Sequence, residues 1–287
     1  MYMKRVTIIL CMLLLVLSST THAQIKIFGT TYGSEKVKGS KNYVTKEMRM
    51  SDFSKLSITG SPNVTFVQKS GKPRVEVYTS DNLIDLLEIV VENNTLKIGW
   101  KKGYNISYDK LNITVTAKEL NSITIAGSGD LLLKNGLNTE SLNLSIAGSG
   151  DIEGSNLQCS YLKSSVAGSG TVKLGEVKCK TLSLSIAGSG DMVMNGISTT
   201  DVKAHVSGSG TLRLSGTAEK AKFSVAGSGD IFADELKSKR VEGSISGSGD
   251  IKCHATEYLK ARTSGSGSIG YKGNPELDMP KKHVYQL

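Results

Sequence analysis

Apolar and polar residues alternate along most of the chain after about residue 120. Ahead of a series of glycine-rich segments, apolar side chains occupy every second position, as in Leu142, Leu144 and Ile146. The alternation resumes after each segment, as in Val172 and Leu174. A period of two is typical of β-strands with one buried face. The pattern therefore predicts short strands whose apolar positions line a common interior.

The glycine-rich segments recur at a nearly constant interval of 18 to 21 residues. The tripeptide Gly-Ser-Gly begins at eight positions: Gly127, Gly148, Gly168, Gly188, Gly208, Gly227, Gly247 and Gly265. Glycine tolerates backbone angles that are closed to other residues, so two glycines around a serine suit a sharp bend. A repeat of about 20 residues that holds three short strands is typical of one coil of a solenoid.

We predict an all-β fold, a right-handed parallel β-helix of about eight coils with an irregular N-terminal β cap. Coils stacked at about 4.8 Å would give a solenoid roughly 38 Å long. A β-sandwich is the main alternative, but nothing in a sandwich requires a 20-residue repeat. The handedness follows from the general preference of parallel crossover connections.

The repeats and the less regular sequence before them define the predicted domain, residues 49–275. Within it, residues 121–275 hold the Gly-Ser-Gly repeats and residues 49–120 form the cap that covers the open end of the stack. Residues 24–48 are polar and weakly patterned, which predicts a flexible lead. Residues 276–287 form a C-terminal tail.

The first 23 residues have the layout of a secretory signal peptide. Lys4 and Arg5 precede an apolar run over residues 6–17, and small polar residues then lead to Ala23. The run is shorter than the roughly 20 residues that a transmembrane helix needs. We predict cleavage after Ala23 and export to the periplasm, the cell surface or the medium, with no transmembrane segment in the mature chain.

Composition excludes several classes of protein. Without the predicted signal peptide, 33 basic and 26 acidic residues give a net charge of +7, with the basic residues scattered along the sequence. The sequence shows neither a basic helix nor an aromatic stacking surface, so nucleic-acid binding is not predicted. Three cysteines remain, Cys159, Cys179 and Cys253, too few for a disulfide-based scaffold.

A small polar residue follows every Gly-Ser-Gly tripeptide. These residues are Asp130, Asp151, Thr171, Asp191, Thr211, Asp230, Asp250 and Ser268. We predict that they cap the turns by hydrogen bonding to nearby backbone amides. A calcium site is the alternative, because the corner faintly resembles a calcium-binding repeat, but that repeat has nine residues and needs anionic ligands where Thr171 and Thr211 stand. No metal or cofactor is predicted.

One segment combines aromatic and basic side chains outside the repeat pattern. It holds Trp100, Lys101, Lys102, Tyr104 and Tyr108, and Trp100 is the only tryptophan of the chain. These residues are candidate ligand contacts, because aromatic rings stack on sugars and lysines attract acidic groups. The alternative is a hairpin whose aromatic rings cover the end of the core.

Two further features follow from stacking of the repeats. Cys159 and Cys179 lie one repeat apart, so they form either a disulfide or, as we favour, a pair of small buried residues. Outward positions at the same place in successive coils form a polar ladder that serves either as a broad contact face or as solvated surface. This ladder comprises Ser145, Ser165, Ser185, His205, Ser224 and Ser244.

The repeated aspartates resemble turn residues rather than a catalytic cluster. His205, His254 and His283 lie in no motif that pairs them with a nucleophile or a zinc ion. We therefore predict that the protein is not an enzyme. The alternative kept open is an exported β-helix enzyme that degrades polysaccharides.

Several segments resemble a known bacterial family, the auto-transporter adhesin head domain, also called the GIN domain and formerly a domain of unknown function. The resemblance rests on the Gly-Ser-Gly-Asp series and on residues 53–61, 64–68, 81–84 and 271–275. It implies an exported β-helical domain, no established activity and no catalytic residues. The predicted function is thus an exported, adhesin-like binding or structural module, with a glycan or a cell-envelope protein as partner.

Overall fold

The structure is a computed structural model that describes residues 34–279 and 282–287. The predicted signal peptide, residues 1–23, lies outside the described residues. The chain divides into two units, residues 1–35 and 36–287. Of the first unit only residues 34 and 35 are described, so the architecture is that of the second unit.

The described residues form 24 β-strands and one short 3-10 helix, Ile84–Leu86. The strands before the repeats are β1 Glu35–Lys38, β2 Tyr43–Arg49, β3 Lys55–Gly60, β4 Val64–Gln68, β5 Arg74–Ser80, β6 Leu87–Glu92, β7 Thr95–Trp100, β8 Tyr104–Ser107 and β9 Leu111–Ala117. The others are β10 Ser122–Gly127, β11 Leu131–Leu133, β12 Leu137–Asn138, β13 Ser141–Gly148, β14 Ile152–Gly154, β15 Leu157–Gly168, β16 Thr171–Gly175, β17 Val177–Gly188, β18 Asp191–Gly208, β19 Thr211–Gly227, β20 Asp230–Gly247, β21 Ile251–Gly265, β22 Ile269–Lys272, β23 Glu276–Asp278 and β24 Val284–Gln286.

The repeat strands stack in parallel and in register. Ile125 pairs with Ile146, Ile146 with Val166, and Val166 with Ile186, each one repeat further along the chain. The same one-repeat offset continues from β17 to β21, with local register shifts. The predicted β-solenoid of about eight coils is therefore confirmed. Its right-handed sense stays a prediction.

We name two of the long side surfaces of the solenoid face A and face B. Face A is formed by the outward side chains of the strand segments that precede the Gly-Ser-Gly corners, such as β13. Face B is formed by the outward side chains of the segments that come after the corners, such as β16. Both faces run along the stacking direction, because equivalent positions pair from coil to coil.

The alternating apolar positions form one continuous core. Leu142, Leu144 and Ile146 are at most 2% exposed, which confirms that they point inward. Ser164 occupies an inward position between Leu144 and Leu184, and its hydroxyl is fully buried without a hydrogen-bond partner. A buried hydroxyl of this kind opposes folding.

Replacing Ser164 with alanine is expected to stabilise the protein by about 1 kcal/mol, because the mutation removes an unsatisfied buried oxygen at little cost in volume. Urea denaturation of both proteins measures the change. The control is Ser165→Ala, because Ser165 is the next residue of the same strand and points outward. This mutation should shift the free energy of unfolding by less than about 0.5 kcal/mol. Destabilisation by Ser164→Ala would show that the hydroxyl has a partner in solution.

The N-terminal cap combines parallel and antiparallel pairs. β3 and β4 form a first coil in register with β10 and β11, and Gly60 pairs with Gly127. β7 and β9 then pair in parallel with β3 and β4 and cover that coil, while β5 and β6 add antiparallel strands to them. The predicted irregular β cap is confirmed, and it begins with one coil of the repeat itself.

The prediction of a flexible lead over residues 24–48 is wrong for its described part. β2 pairs antiparallel with the whole of β5. The Asp81 carboxylate accepts hydrogen bonds from the Ser40 hydroxyl and the Asn42 amide, which lower the pKa of Asp81 below its ordinary value. The polar sequence reflects an outer strand that buries few side chains. The C-terminal tail likewise adds strands, since β23 pairs with β21 and β24 with β22.

Candidate functional site

The Gly-Ser-Gly corners form a column of hydrogen bonds along the solenoid. At Gly188 the backbone φ is +128°, in the region that favours glycine. Its carbonyl oxygen accepts bonds from the amides of Ser209 and Gly210 in the next coil, at 2.9 and 3.1 Å. A Cβ on Gly188 would lie 2.6 Å from the carbonyl oxygen of Gly168 in the previous coil. The corner therefore needs glycine both for its φ angle and for the close approach of backbones.

The aspartates after the corners bind between coils rather than within their own turn. The Asp151 carboxylate accepts a hydrogen bond from the Thr171 amide at 2.7 Å. The other bonds of this kind also join an amide to the carboxylate one coil back: from Asp151 to Asp130, Thr211 to Asp191, Asp250 to Asp230, and Ser268 to Asp250. The aspartates thus link successive coils along one edge of face B.

Where threonine replaces aspartate after a corner, the amide of the next coil has a different hydrogen-bond acceptor. After Thr171 and Thr211, the next coil's amide donates to a glycine carbonyl instead: Asp191 to Gly170 and Asp230 to Gly210, both at 3.1 Å. Ser268 donates its hydroxyl to Asp250 at 2.7 Å. A side-chain acceptor is therefore used after some coils and a backbone acceptor after others.

Replacing Asp151 with alanine is expected to cost about 1–2 kcal/mol, because the Thr171 amide loses its acceptor. Asp151→Asn keeps an acceptor oxygen and should cost less. Thr171→Ala is the matched control one coil further on, with an expected loss below about 0.5 kcal/mol. Urea midpoints of the three variants measure these differences. Equal losses for Asp151→Ala and Thr171→Ala would contradict the linking role of the carboxylate.

A hollow of about 630 Å³ lies on face B, lined by residues that follow the corners at Gly127 and Gly148. Its charged lining consists of Asp130, Lys134, Asp151 and Glu153. The carboxylates of Asp130 and Asp151 already accept amide hydrogen bonds there. Within the described part of the chain, no group of three or more His, Cys, Asp or Glu residues is arranged to hold a metal ion.

The predicted ligand segment separates into a packed pair and an exposed group. The rings of Trp100 and Tyr108 lie 5.7 Å apart at 38°, and the Tyr108 hydroxyl donates to the Ser61 carbonyl at 2.9 Å. The indole nitrogen of Trp100 is fully buried without a partner. By contrast, the side chains of Lys101, Lys102 and Tyr104 are exposed. The structure therefore packs the two rings against each other and ties Tyr108 to Ser61, apart from the exposed lysines.

Replacing Trp100 with alanine is expected to cost about 2–4 kcal/mol, because the half-buried ring packs against the core. Trp100→Phe should cost much less, since it keeps an aromatic ring and removes the unpaired indole nitrogen. Thermal and urea unfolding measure both changes. A stable Trp100→Ala protein that loses ligand binding would contradict a covering role and restore the ligand hypothesis for this ring.

Cys159 and Cys179 pair in register on adjacent coils, and both are buried free thiols. Interaction between the two neighbouring thiols raises the pKa of Cys159 and lowers that of Cys179. Cys179 in turn approaches the Thr199 hydroxyl at 3.7 Å. The favoured interpretation, a pair of small buried side chains, agrees with this arrangement.

Face A carries the predicted polar ladder. Ser145, Ser165, Ser185 and His205 pair in register on successive coils, and Ser224 and Ser244 continue the row. Beside the ladder lie two rows of longer side chains, many of them basic, which were not predicted as a site. Folding the sequence at its 20-residue period would have revealed them, because Lys163, Lys203 and Lys222 share one place in the repeat.

The fold and its surfaces define a β-solenoid with long, regular faces. The chain belongs to the family described as "Putative auto-transporter adhesin, head GIN domain", whose sequence model matches residues 52–176 and 175–275. No significant match was found among curated proteins.

Solved structures of similar proteins agree with the fold. A protein described as a putative adhesin from Parabacteroides merdae is 25% identical, with a TM-score of 0.70 and coverage of 88% of this chain and 99% of that one. From Parabacteroides distasonis, a protein described as a putative lipid binding protein is 28% identical (TM-score 0.65) and one described as a putative adhesin is 25% identical (TM-score 0.64). Each covers 88% of this chain and is itself covered over 100% of its length.

The described part of the chain contains no helix with the length and hydrophobicity that a bilayer crossing requires.

Proposed function

We propose that this protein is an exported, non-enzymatic, adhesin-like module that binds a glycan or a cell-envelope component through a side face of its solenoid. The observation that carries the proposal is the in-register ladder from Ser145 to Ser244 on face A. It presents five serines and one histidine over six coils on a backbone that is fixed by hydrogen bonds. Such a surface offers regularly spaced contacts to an extended partner.

Family membership supports a binding role. The family and two of the similar solved structures carry the description adhesin, and none of these descriptions names a reaction. Export is supported by the signal-peptide pattern of residues 1–23. If export occurs as proposed, the intact mass of the protein recovered after secretion will match a chain that begins at Gln24.

The experiment is a binding screen with the exported protein. It is exposed to an array of neutral and acidic glycans and to solubilised envelope proteins, with the heat-unfolded protein as control. We expect reproducible binding of the folded protein to at least one class. Binding to no class would contradict the proposal.

The same samples test the enzymatic alternative. Each glycan is incubated with the protein and analysed for new reducing ends and for unsaturated products. We expect neither product above the heat-unfolded control. Formation of either product would replace the binding proposal with that of a polysaccharide-degrading enzyme.

A further inference from the structure

Two rows of outward side chains flank a shallow furrow on face A. In the outer row, successive coils contribute Tyr161, Thr181, Asp201, Lys220, Arg240 and Tyr258. In the inner row, the same coils contribute Lys163, Ser183, Lys203, Lys222, Glu242 and Lys260. We call the depression between the rows the face-A furrow.

The face-A furrow consists of two hollows that lie end to end. One, of about 330 Å³, is lined by residues that include Tyr161, Lys163 and Thr181. The other, of about 230 Å³, begins one coil further on at Asp201 and reaches Tyr258. Each is at or below the lower end of the roughly 300–1,000 Å³ typical of small-molecule pockets. Together they suit a partner that extends from coil to coil.

The furrow is strongly basic. Its two rows hold six basic side chains against two acidic ones, Asp201 and Glu242. All six basic side chains are exposed, and only Lys222 is paired within the furrow, with Glu242 at 3.4 Å. Cations spaced along a surface at intervals of about 4.8 Å per coil create a positive potential that attracts a polyanion.

A tyrosine lies at each end of the set of six basic side chains. Tyr161 is 52% exposed in the coil that contributes Lys163, the first of the six basic residues. At the other end, the Arg240 guanidinium lies over the Tyr258 ring, 4.5 Å from its centre. The two tyrosines are five coils apart, or about 24 Å along the stack. Flat rings with polar tips suit the faces of sugar rings.

We propose that the face-A furrow binds a linear acidic polysaccharide along the solenoid axis. Carboxylate or sulfate groups of the polymer contact Lys203, Lys220, Lys222 and Arg240, and a sugar ring stacks on Tyr161. This inference rests on the proposed binding function and names its ligand class and surface. A membrane surface fits less well, because binding at a lipid interface needs a broad apolar face and the rows flanking the furrow are polar apart from their tyrosines.

The test measures binding of the exported full chain to two acidic polymers, polygalacturonate and dextran sulfate, with neutral dextran as the uncharged probe. The variant Lys203→Ser, Lys220→Thr, Lys222→Ser introduces the residue types that one other coil of the furrow carries in the same rows, at Thr181 and Ser183. We expect binding to weaken about tenfold, since three exposed charge contacts are lost. Binding of the unaltered protein should also weaken as salt is added.

The control removes the same charge from another part of the solenoid. Lys178→Ser, Lys180→Thr, Lys237→Ser replaces three exposed lysines that lie outside the furrow. We expect this variant to bind within about twofold of the unaltered protein, because its lysines do not face the polymer. Equal weakening in both triple variants would overturn the furrow proposal and indicate attraction by net charge alone.

A third variant should strengthen binding, which an unfolded protein cannot do. Glu242→Gln removes the carboxylate beside Lys222, so this lysine becomes available to the polymer. We expect affinity to rise about two- to threefold. No change, or weaker binding, would contradict the position assigned to the ligand.

The outcomes separate this inference from the proposed function. Binding of the unaltered protein to neutral glycans or envelope proteins but to neither acidic polymer would overturn the furrow proposal and leave the proposed function standing. Binding to no partner would end both. Vesicles of phosphatidylglycerol are the remaining arm: binding to them that the furrow variant abolishes, without binding to either polymer, would assign the furrow to a membrane surface instead.

Discussion

Replacing Gly188 with alanine is expected to destabilise the protein by about 3 kcal/mol or more. Two costs combine at this corner. A non-glycine residue at φ +128° is strained, and the new Cβ would overlap the Gly168 carbonyl oxygen in the previous coil. This oxygen cannot move without disturbing the column of hydrogen bonds that links the corners. Urea denaturation measures the loss.

Other glycines separate the two costs. Gly71 has a similar φ of +123° but open space around the Cβ position, so Gly71→Ala should cost only about 1–2 kcal/mol. Gly190 lacks the positive φ, yet its Cβ would overlap the Gly170 oxygen, so about 1–3 kcal/mol is expected. Gly175 has neither feature, and alanine there should change stability by less than about 1 kcal/mol. A loss at Gly188 no larger than that at Gly175 would contradict stacking of the corners.

Replacing Leu184 with alanine is expected to cost about 2–5 kcal/mol, because the side chain is 2% exposed and its removal leaves a cavity in the common core. Its neighbour in the previous coil is Ser164, whose small side chain cannot fill the cavity that the mutation creates. The midpoint of urea unfolding measures the loss.

The matched control is Leu132→Ala. Leu132 is the same residue type in a repeat strand, but it is 44% exposed on face B. We expect its replacement to cost less than about 0.5 kcal/mol. Equal effects of the two mutations would show that the inward and outward assignments of the strands are wrong.

The repeat region could be predicted from sequence because each local signal reports the same fold. Leu144 and Ile146 point inward as the period of two requires, and the glycine corners stack as their spacing requires. A side chain that recurs at one place in every coil meets its equivalents, so the register follows directly from the repeat length. Asp151 shows the limit of local reasoning, since its partner is an amide in the next coil.

The cap and the lead were harder to predict, because their pairing depends on contacts distant in sequence. β2 pairs with β5, and Ser40 with Asp81, across 25 to 41 residues that carry no repeat. The basic rows of face A were missed for a related reason. Lys203 and Lys222 look scattered along the chain, and they become neighbours only when the coils stack.

The most direct test of the stacked solenoid is a set of distances along face A. Nitroxide labels are placed at Ser145 together with Ser185, Ser224 or Ser244, in a protein whose native cysteines are replaced by alanine. Pulsed electron paramagnetic resonance then measures the distance between the two nitroxide labels of each pair. In-register stacking predicts distances that rise by about 4.8 Å per coil, so that the pairs two, four and five coils apart are separated by about 10, 19 and 24 Å. Separations that do not increase with the number of coils would contradict it.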